Sequence, residues 1–373
     1  MVLHKAILMK ERFGIVMQDL PGSTETFIKA HISELQPRFV YYGAPIPQFV
    51  NDDKLQPLFM RALRKVAAVL KNETYWHDEV AFEKHLKKQS IEVLLAEYGV
   101  VGAYIYKTCQ KLGIKLVIHF HGYDASMYSV ILRLGNRYRQ MFEVATRVVA
   151  VSEEMKNDLI ILGCDPQKID VNPYGPNEEF TNVIPNYQSN NIVSVGRFTE
   201  KKAPDVMIRA FARVLKAFPE ARLRMIGDGE LKKSCEDLVV ELGLADQIEF
   251  LGLLSKDHIC KVFEDSSIFV QHSVQASSGD KEGSPVAIME AAAAGLPIVS
   301  TRHAGIRETV IEEETGYLCN EHDVQSFSDN LKKLLESMNR REQMGNAGRV
   351  HIKTNFSRQK HIGFLNNIVS NAT

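Results

Sequence analysis

Short β-branched and aromatic runs alternate with helical patterns along all 373 residues, and a chain that alternates in this way is confined to parallel α/β architecture. In the first half GIVMQ, RFVYY, IEVLLAE, KLVIHFHG and TRVVAVS read as strands. Helices are predicted between them near Thr26 to Leu35, Leu58 to Leu70, Val80 to Lys88 and Val101 to Leu112. Another follows Ser152, where Glu153 and Glu154 suit a helix N-terminus. From Pro173 the stretch PYGPNEEFTNVIPNYQSNN, rich in Pro, Asn and Gly, breaks the rhythm and reads as a linker. The alternation then restarts, with NIVSVGRF, ARLRMIG, QIEFLG, SIFVQHS, PIVST and TGYLC as strands. The prediction is two doubly wound, Rossmann-like domains facing an interdomain crevice, residues 1–182 and 183–356. A last amphipathic helix within 357–373, capped by Ser357, is expected to return to the first domain.

A formal net charge of -1 gives no field for capturing nucleic acid through its phosphates, so that class is set aside. The cysteines, five in number, dispersed and without a C-x-x-C pair, predict a reducing cytoplasmic setting rather than a disulfide framework or a structural zinc site. The stretch MVLHKAILMKERFGIV carries Lys5, Lys10, Glu11 and Arg12 and reads as neither a signal-peptide core nor a membrane span.

Open α/β sheets bind ligands at the carboxyl ends of their strands, so the loops after strands hold the candidate residues. VGRFTEKKAPD places Gly196, Arg197, Lys201 and Lys202 after the first strand of the second domain. IGDGE places Gly227, Asp228 and Gly229 after the next strand, and GLLS places Leu254 after the third. HSVQASSGDKEGSP follows the fourth and leads into a helix, with Glu282 before it and Glu290 inside it. Ser284 reads as the N-cap and Pro285 as the first helical residue. The amides at that helix start are a seat for phosphate or hydroxyl oxygens, and Arg197 and Lys202 add the cations a diphosphate requires. Six residues of helix rise ~9 Å, which suits a nucleotide sugar with its sugar near Glu282 and its ribose near Glu290. In the first domain HFHGYDAS sets His119, His121 and Asp124 at a strand end. His121, beside Gly122, is expected to be exposed at the crevice and able to position a sugar hydroxyl or handle a proton. The turn at Gly22, Ser23 and Thr24 offers backbone to a phosphate.

Each of these residues also has a purely structural role to weigh. A glutamate inside a helix is usually solvated, paired lysines are usually surface charge, and a strand-end histidine is more often a hydrogen-bonded core residue. The alanines around Glu290 make a wholly solvated face unlike this helix, and the lysines gain meaning because they share a domain with it.

Taken together, the Glu-x7-Glu arrangement in EGSPVAIMEAAAAGLPIVST, the GRFTEKKAPD loop, IGDGE, VVAVSEEMKNDLIILG and HGYD resemble the retaining glycosyltransferases of family 4. GSTETFIKAHI and GDKEGSP are similar to the bacterial members that build exopolysaccharide or lipid-linked repeat units. The resemblance implies a GT-B fold and transfer of a sugar, with retention, from a nucleotide diphosphate sugar to a glycan or lipid-linked acceptor. It implies that Arg197 and Lys202 hold the diphosphate, Glu282 the donor sugar and Glu290 the ribose. The amides of Gly283 and Ser284 would face sugar or phosphate, and His121 would lie by the transferred sugar. Further donor contacts are expected from Gly22, Gly196, Gly227, Asp228, Leu254 and Pro285. Ala203 stands where the family commonly has glycine, and the usual double-glycine loop near the N-terminus is reduced to Gly22.

No metal or other cofactor is expected, because cations and a helix terminus supply the positive charge and no Asp/His cluster has ligand spacing in the sequence. A UDP-sugar is the first expectation for the donor and GDP-mannose the second, both from the resemblance. A glycoside hydrolase using Glu282 and Glu290 would need both carboxyls at one scissile bond. A nucleotide-sugar epimerase, a phosphorylase and a non-catalytic sugar-nucleotide-binding subunit remain as alternatives, while the absence of G-x-G-x-x-G after a strand disfavours an NAD enzyme. PLFMRALRKVAAVLKN and EKHLKKQ are the candidates for peripheral contact with an anionic membrane at the cytoplasmic face.

Overall fold

The computed structural model describes residues 11–22, 25–55 and 76–371. The chain divides into two compact units, Met1–Asn172 with Ile362–Thr373, and Pro173–His361. The division falls at Asn172/Pro173, earlier than the expected boundary after residue 182. The Pro/Asn-rich segment that reads as a linker is held by the second unit instead. Asn177 donates to Glu290, the Tyr187 hydroxyl donates to the Gly295 carbonyl at 2.7 Å, and Arg341 donates to the Tyr187 carbonyl.

The first unit is built on β1 (Phe13–Met17), β2 (Phe39–Tyr42), β3 (Phe49–Val50), β4 (Asp53–Lys54), β5 (Val93–Glu97), β6 (Lys115–His119), β7 (Arg147–Ala150) and β8 (Ile169–Val171). Their order in the sheet is β4-β3-β2-β1-β5-β6-β7-β8, parallel except for the β2-β3-β4 edge. β1 and β5 are buried at every residue, which explains their unbroken apolar runs. Helices Thr26–Leu35, Trp76–Lys88, Gly99–Leu112, Tyr128–Val144 and Glu153–Ile161 connect the strands. Ser152 caps the last of these by accepting from the Met155 amide at 3.2 Å. The helix expected near Leu58 to Leu70 lies outside the described residues, as do Ser23 and Thr24. The final helix, Arg358–Asn371, sends Ile362, Leu365 and Val369 into the apolar cluster around Phe13, Ile15, Ile28 and Leu95.

The second unit carries β9 (Asn191–Val195), β10 (Arg222–Ile226), β11 (Ile248–Gly252), β12 (Ile268–Val270), β13 (Ile298–Thr301) and β14 (Gly316–Cys319). The sheet is parallel throughout in the order β11-β10-β9-β12-β13-β14. The order reverses between β9 and β12, and at such a switch point the loops leaving two adjacent strands part to leave a crevice. Helix Pro204–Val214 buries Val206, Met207, Ala210, Phe211 and Val214 against this sheet, with its proline in the first turn where no amide partner is lost. Helix Val286–Ala293 is apolar nearly all round because Met338–Asn355 covers its other side, approaching Ala292 at Gly348. Among the described residues no helix is long and apolar enough to cross a membrane.

Candidate functional site

In the second unit the loops after β9 and β12 flank the switch point. A small pocket there is lined by Gly196, Arg197, Phe198, Lys202 and Gln271. Lys202 lies at the end of the single turn Glu200–Lys202 and runs beside Gly196, whose missing side chain leaves the room. Its ammonium is paired with Glu282. Lys201 instead pairs with Asp280 at 3.0 Å, so the two lysines divide between two carboxylates and only Lys202 meets the candidate glutamate. Burial disfavours the charge on Glu282, but Lys202 and then Lys201 outweigh it and hold the carboxyl below the usual range. Lys202 is lowered by burial; Glu282 opposes that shift, while the neighbouring cations Lys201 and Arg197 add to it. Arg197 is exposed, and its guanidinium makes no hydrogen bond or ion pair with another described residue. Three cations thus crowd one small region, an arrangement that an anion would relieve.

The loop from Gln275 to Glu282 is fastened along its length. Ser277 donates through its amide and hydroxyl to Glu200 at 2.7 and 2.9 Å, the Gln275 amide donates to Glu321 at 2.9 Å, and the Glu282 amide donates to His303 Nε2 at 3.1 Å. His303 and Glu321 have no place in the expected site. His303 follows a strand, as the other candidates do, and that position is the signal that could have marked it. An open cavity of about 690 Å³ lies along the far edge of this unit, among Arg302, Arg307, Glu312 and Leu318, and shares only Glu321 with the candidate site.

The helix begins differently from expectation. Pro285 occupies the N-cap position, Ser284 provides no side-chain cap and the helix runs Val286–Ala293. The Ser284 carbonyl instead accepts from the Val286 amide at 3.0 Å, and the Pro285 carbonyl from Met289 at 3.0 Å. The amides of Gly283 and Ser284 meet no acceptor among the described residues. They add two open donors to a helix terminus. Glu290 stands about one turn into this helix, half-buried, and Asn177 donates to its Oε1 at 2.6 Å. Burial pushes its carboxyl up to about 7, against the Asn177 bond and Lys256. Asn177, from the segment that reads as a linker, carries no chemical signature in the sequence.

The glycines of IGDGE have a structural cause. A Cβ on Gly227, at φ +137°, would lie 2.0 Å from the Gly196 carbonyl, and one on Gly229 2.5 Å from that of Phe198. The β10 loop is therefore pressed backbone to backbone under the β9 loop. Asp228 accepts from the Gly229 amide at 2.8 Å, and Leu254 is half-buried on the loop after β11, beyond β10 from the lysines.

In the first unit the β1/β5 switch point gathers a second group. His121 is buried, its side chain 2% exposed, rather than exposed as expected. Phe27 stacks on its ring at 4.8 Å and Tyr98 meets it edge-on at 4.4 Å. Its Nε2 donates to Glu97 Oε2 at 2.8 Å, and the other oxygen of Glu97 takes His31 Nδ1 at 2.8 Å. Burial works against the charge on Glu97, but His31 and three imidazole contacts hold it well below the usual carboxylate range. Burial, reinforced by His121, drives His119 down to about 3. Donor atoms of His31, Glu97 and His119 lie within 4.8 Å of one another, a cluster with metal-ligand types that linear spacing does not reveal. Asp124 is spent on the backbone, accepting from the amides of Gly99, His121 and Gly122. The Gly22 amide donates to Glu25 at 2.9 Å rather than standing open for a phosphate.

The family described as Glycosyl transferases group 1 matches residues 177–351, and Glycosyltransferase Family 4 matches residues 45–180. The amylovoran biosynthesis glycosyltransferase AmsK of Erwinia amylovora is 31% identical over 284 residues, covering 74% of this chain and 69% of that protein. WcaL of Salmonella typhimurium, named for colanic acid biosynthesis, is 34% identical over 64% of this chain and 60% of that protein, so the match spans less than two thirds of WcaL. Among solved structures, Anabaena Alr3699/HepE in complex with UDP has a TM-score of 0.73 at 14% identity, over 96% of this chain and 100% of that one. A glycosyltransferase from Rickettsia africae ESF-5 has a TM-score of 0.73 at 16% identity, over 97% and 98%. By sequence and by fold, the chain belongs to the glycosyltransferases of group 1 and family 4, with the GT-B fold.

Proposed function

We propose that this chain is a retaining glycosyltransferase of bacterial surface polysaccharide biosynthesis. It moves a sugar from a nucleotide diphosphate sugar, a UDP-sugar before GDP-mannose, to a hydroxyl of a glycan or lipid-linked acceptor. The observation that carries this reading is the pocket lined by Arg197 and Lys202, with Lys202 paired to Glu282 immediately before the open amides of Gly283 and Ser284 that lead into the helix bearing Glu290. A diphosphate placed there exchanges the Lys202–Glu282 pair for its own contacts and frees Glu282 to accept from donor sugar hydroxyls. Glu290 takes the ribose hydroxyls. As the glycosidic bond breaks, negative charge grows on the leaving diphosphate, and the two cations and the helix amides stabilise it more strongly than they do the ground state. His121, fixed by Glu97, is assigned to a hydroxyl of the transferred sugar.

Relatives named for amylovoran and colanic acid biosynthesis support the polysaccharide setting, and the UDP complex of the Anabaena neighbour supports the donor class. Transfer is proposed to need no metal, so turnover should persist in EDTA. Peripheral contact with anionic lipid is proposed through Lys84, Lys87 and Lys88, which are exposed at the end of helix Trp76–Lys88; flotation with anionic vesicles tests it. The deciding experiment is a thermal-melt panel with UDP, GDP, ADP, dTDP, CMP and NAD. A ligand at 100 times its dissociation constant stabilises by ~2.7 kcal/mol. A shift with UDP that disappears in Lys202→Ala supports the reading, and no shift with any nucleotide overturns it.

A further inference from the structure

We propose that His303 and Glu321 form a positioning pair that clamps the loop bearing Glu282, an inference that rests on the donor-site reading above. His303 lies in the loop after β13, 2% exposed. Its two ring nitrogens face different partners. Nε2 lies 3.1 Å from the backbone amide of Glu282, and Nδ1 lies 2.7 Å from Glu321 Oε1. A backbone amide only donates, so Nε2 must keep its lone pair. The proton is therefore on Nδ1, where the Glu321 carboxylate accepts it, and the two partners together fix one neutral tautomer. The second oxygen of Glu321 accepts from the Gln275 amide at 2.9 Å, at the other end of the same loop. One carboxylate from the end of β14 thus holds the start of the loop directly and its finish through an imidazole.

Neither side chain meets the Glu282 carboxylate. They fix the main chain from which it projects, immediately before the open amides of Gly283 and Ser284. Lys202 restrains the Glu282 side chain, while Lys201 holds the Asp280 side chain and donates to the Lys281 carbonyl at 3.4 Å, so the Glu282 amide itself is held by His303 and not by the lysines. A carboxylate that orients an imidazole, which in turn orients a reacting group, is the arrangement that keeps a site preorganised.

The test combines amide hydrogen exchange over residues 275–290 with donor binding and turnover, in wild type, His303→Ala, His303→Gln and Glu321→Ala. Exchange at the Glu282 amide should rise by roughly tenfold or more in both alanine variants, while helix Val286–Ala293 stays protected. His303→Gln, whose carbonyl takes the place of Nε2, should keep exchange slow. With a nucleotide sugar, kcat should fall by about 10- to 100-fold in the alanine variants, because a misplaced contact group costs rate. Binding of the bare nucleoside diphosphate, which needs no Glu282 and keeps Arg197 and Lys202, should weaken by less than kcat falls. Unchanged exchange in His303→Ala, or faster exchange with unchanged kcat, overturns the proposal. Faster exchange in a protein whose wild type turns over no nucleotide sugar sinks the donor-site reading and leaves the clamp standing. Should His303→Ala fail to fold, Glu321→Ala decides, since that side chain is 33% exposed.

Discussion

Asn177 donates from Nδ2 to Oε1 of Glu290 at 2.6 Å, across 113 residues of sequence. The contact satisfies one carboxyl oxygen in a place where burial pushes the group up to about 7, with Lys256 opposing that shift and Glu179 adding to it. An ionised carboxylate is the stronger acceptor for a pair of ribose hydroxyls, the contact proposed for Glu290. Affinity for a nucleotide sugar, whose doubly esterified diphosphate does not titrate near neutrality, should therefore rise roughly tenfold from pH 6 to pH 8. Calorimetry checks this, and Glu290→Gln should bind more weakly with a flat profile; a flat wild-type profile would count against the ribose assignment.

The same shift acts on stability in the opposite direction. A carboxyl raised from 4.5 to about 7 binds its proton more tightly in the folded state, so stability falls as pH rises through that window and levels off above it. The cost at pH 8 is on the order of 3 kcal/mol at most. Ligand-free Glu290→Gln should therefore be more stable than wild type at pH 8, and the gain should shrink toward pH 5. Urea midpoints measured at both values decide it.

Lys202→Ala should lower kcat/KM by about 10²- to 10³-fold, the usual scale for losing one preorganised charge from a leaving group. It also leaves the Glu282 carboxylate without the ammonium that holds it below the usual range. Circular dichroism should be unchanged. Near-normal turnover would remove Lys202 from the diphosphate site.

Glu97→Ala should destabilise the protein by roughly 3–5 kcal/mol, because it removes the buried carboxylate that two buried imidazoles share. Since Glu97 is held well below the usual range, its contribution is present above the ordinary carboxylate range and is lost in acid. Equilibrium unfolding of wild type and variant should therefore converge as the pH is lowered. A constant gap would refute the charge assignment.

Gly227→Ala forces a Cβ to within 2.0 Å of the Gly196 carbonyl in a backbone conformation at φ +137°. The expected result is a loss of about 2 kcal/mol or more and displacement of the loop that carries Arg197. Weaker nucleoside diphosphate binding in a folded variant would reveal the displacement; unchanged stability would show that the loops separate freely.

The parallel strands were legible because both faces are covered, which turns each into a short apolar run such as IFV or VLLAE. The β3/β4 edge was not, since two-residue strands are set by pairing with β2 and a tight turn at Asn51 and Asp52 rather than by any periodic pattern. Helix Tyr128–Val144 gives no clean pattern although Val130, Leu134, Tyr138 and Met141 mark its buried face; Gly135 with Arg133, Asn136, Arg137, Arg139 and Gln140 blurs the run. The start of the glutamate helix was misplaced because proline's fixed geometry suits the N-cap here and leaves Ser284 outside the first turn. Ala203 at φ +36° sits in the left-handed region that glycine occupies more easily, which gives a backbone reason for the family's commoner residue. Lys201 and Lys202 stood together in one motif and Glu282 and Glu290 in another, each after a strand of the same sheet, whereas Glu97 with His31, and Asn177 with Glu290, carry no motif and meet only through the fold.

Helix Arg358–Asn371 begins in the second unit, and from Ile362 its residues complete the core of the first. During synthesis the early strands must therefore wait. Phe13, Ile15 and Leu95 leave the ribosome with part of their cover still unmade, while the second unit, contiguous in sequence, can close as soon as it emerges. The earlier-made half finishes last, and a ribosome that stalls before Leu365 releases a chain with an uncovered apolar face, the kind of surface that chaperones and proteases recognise.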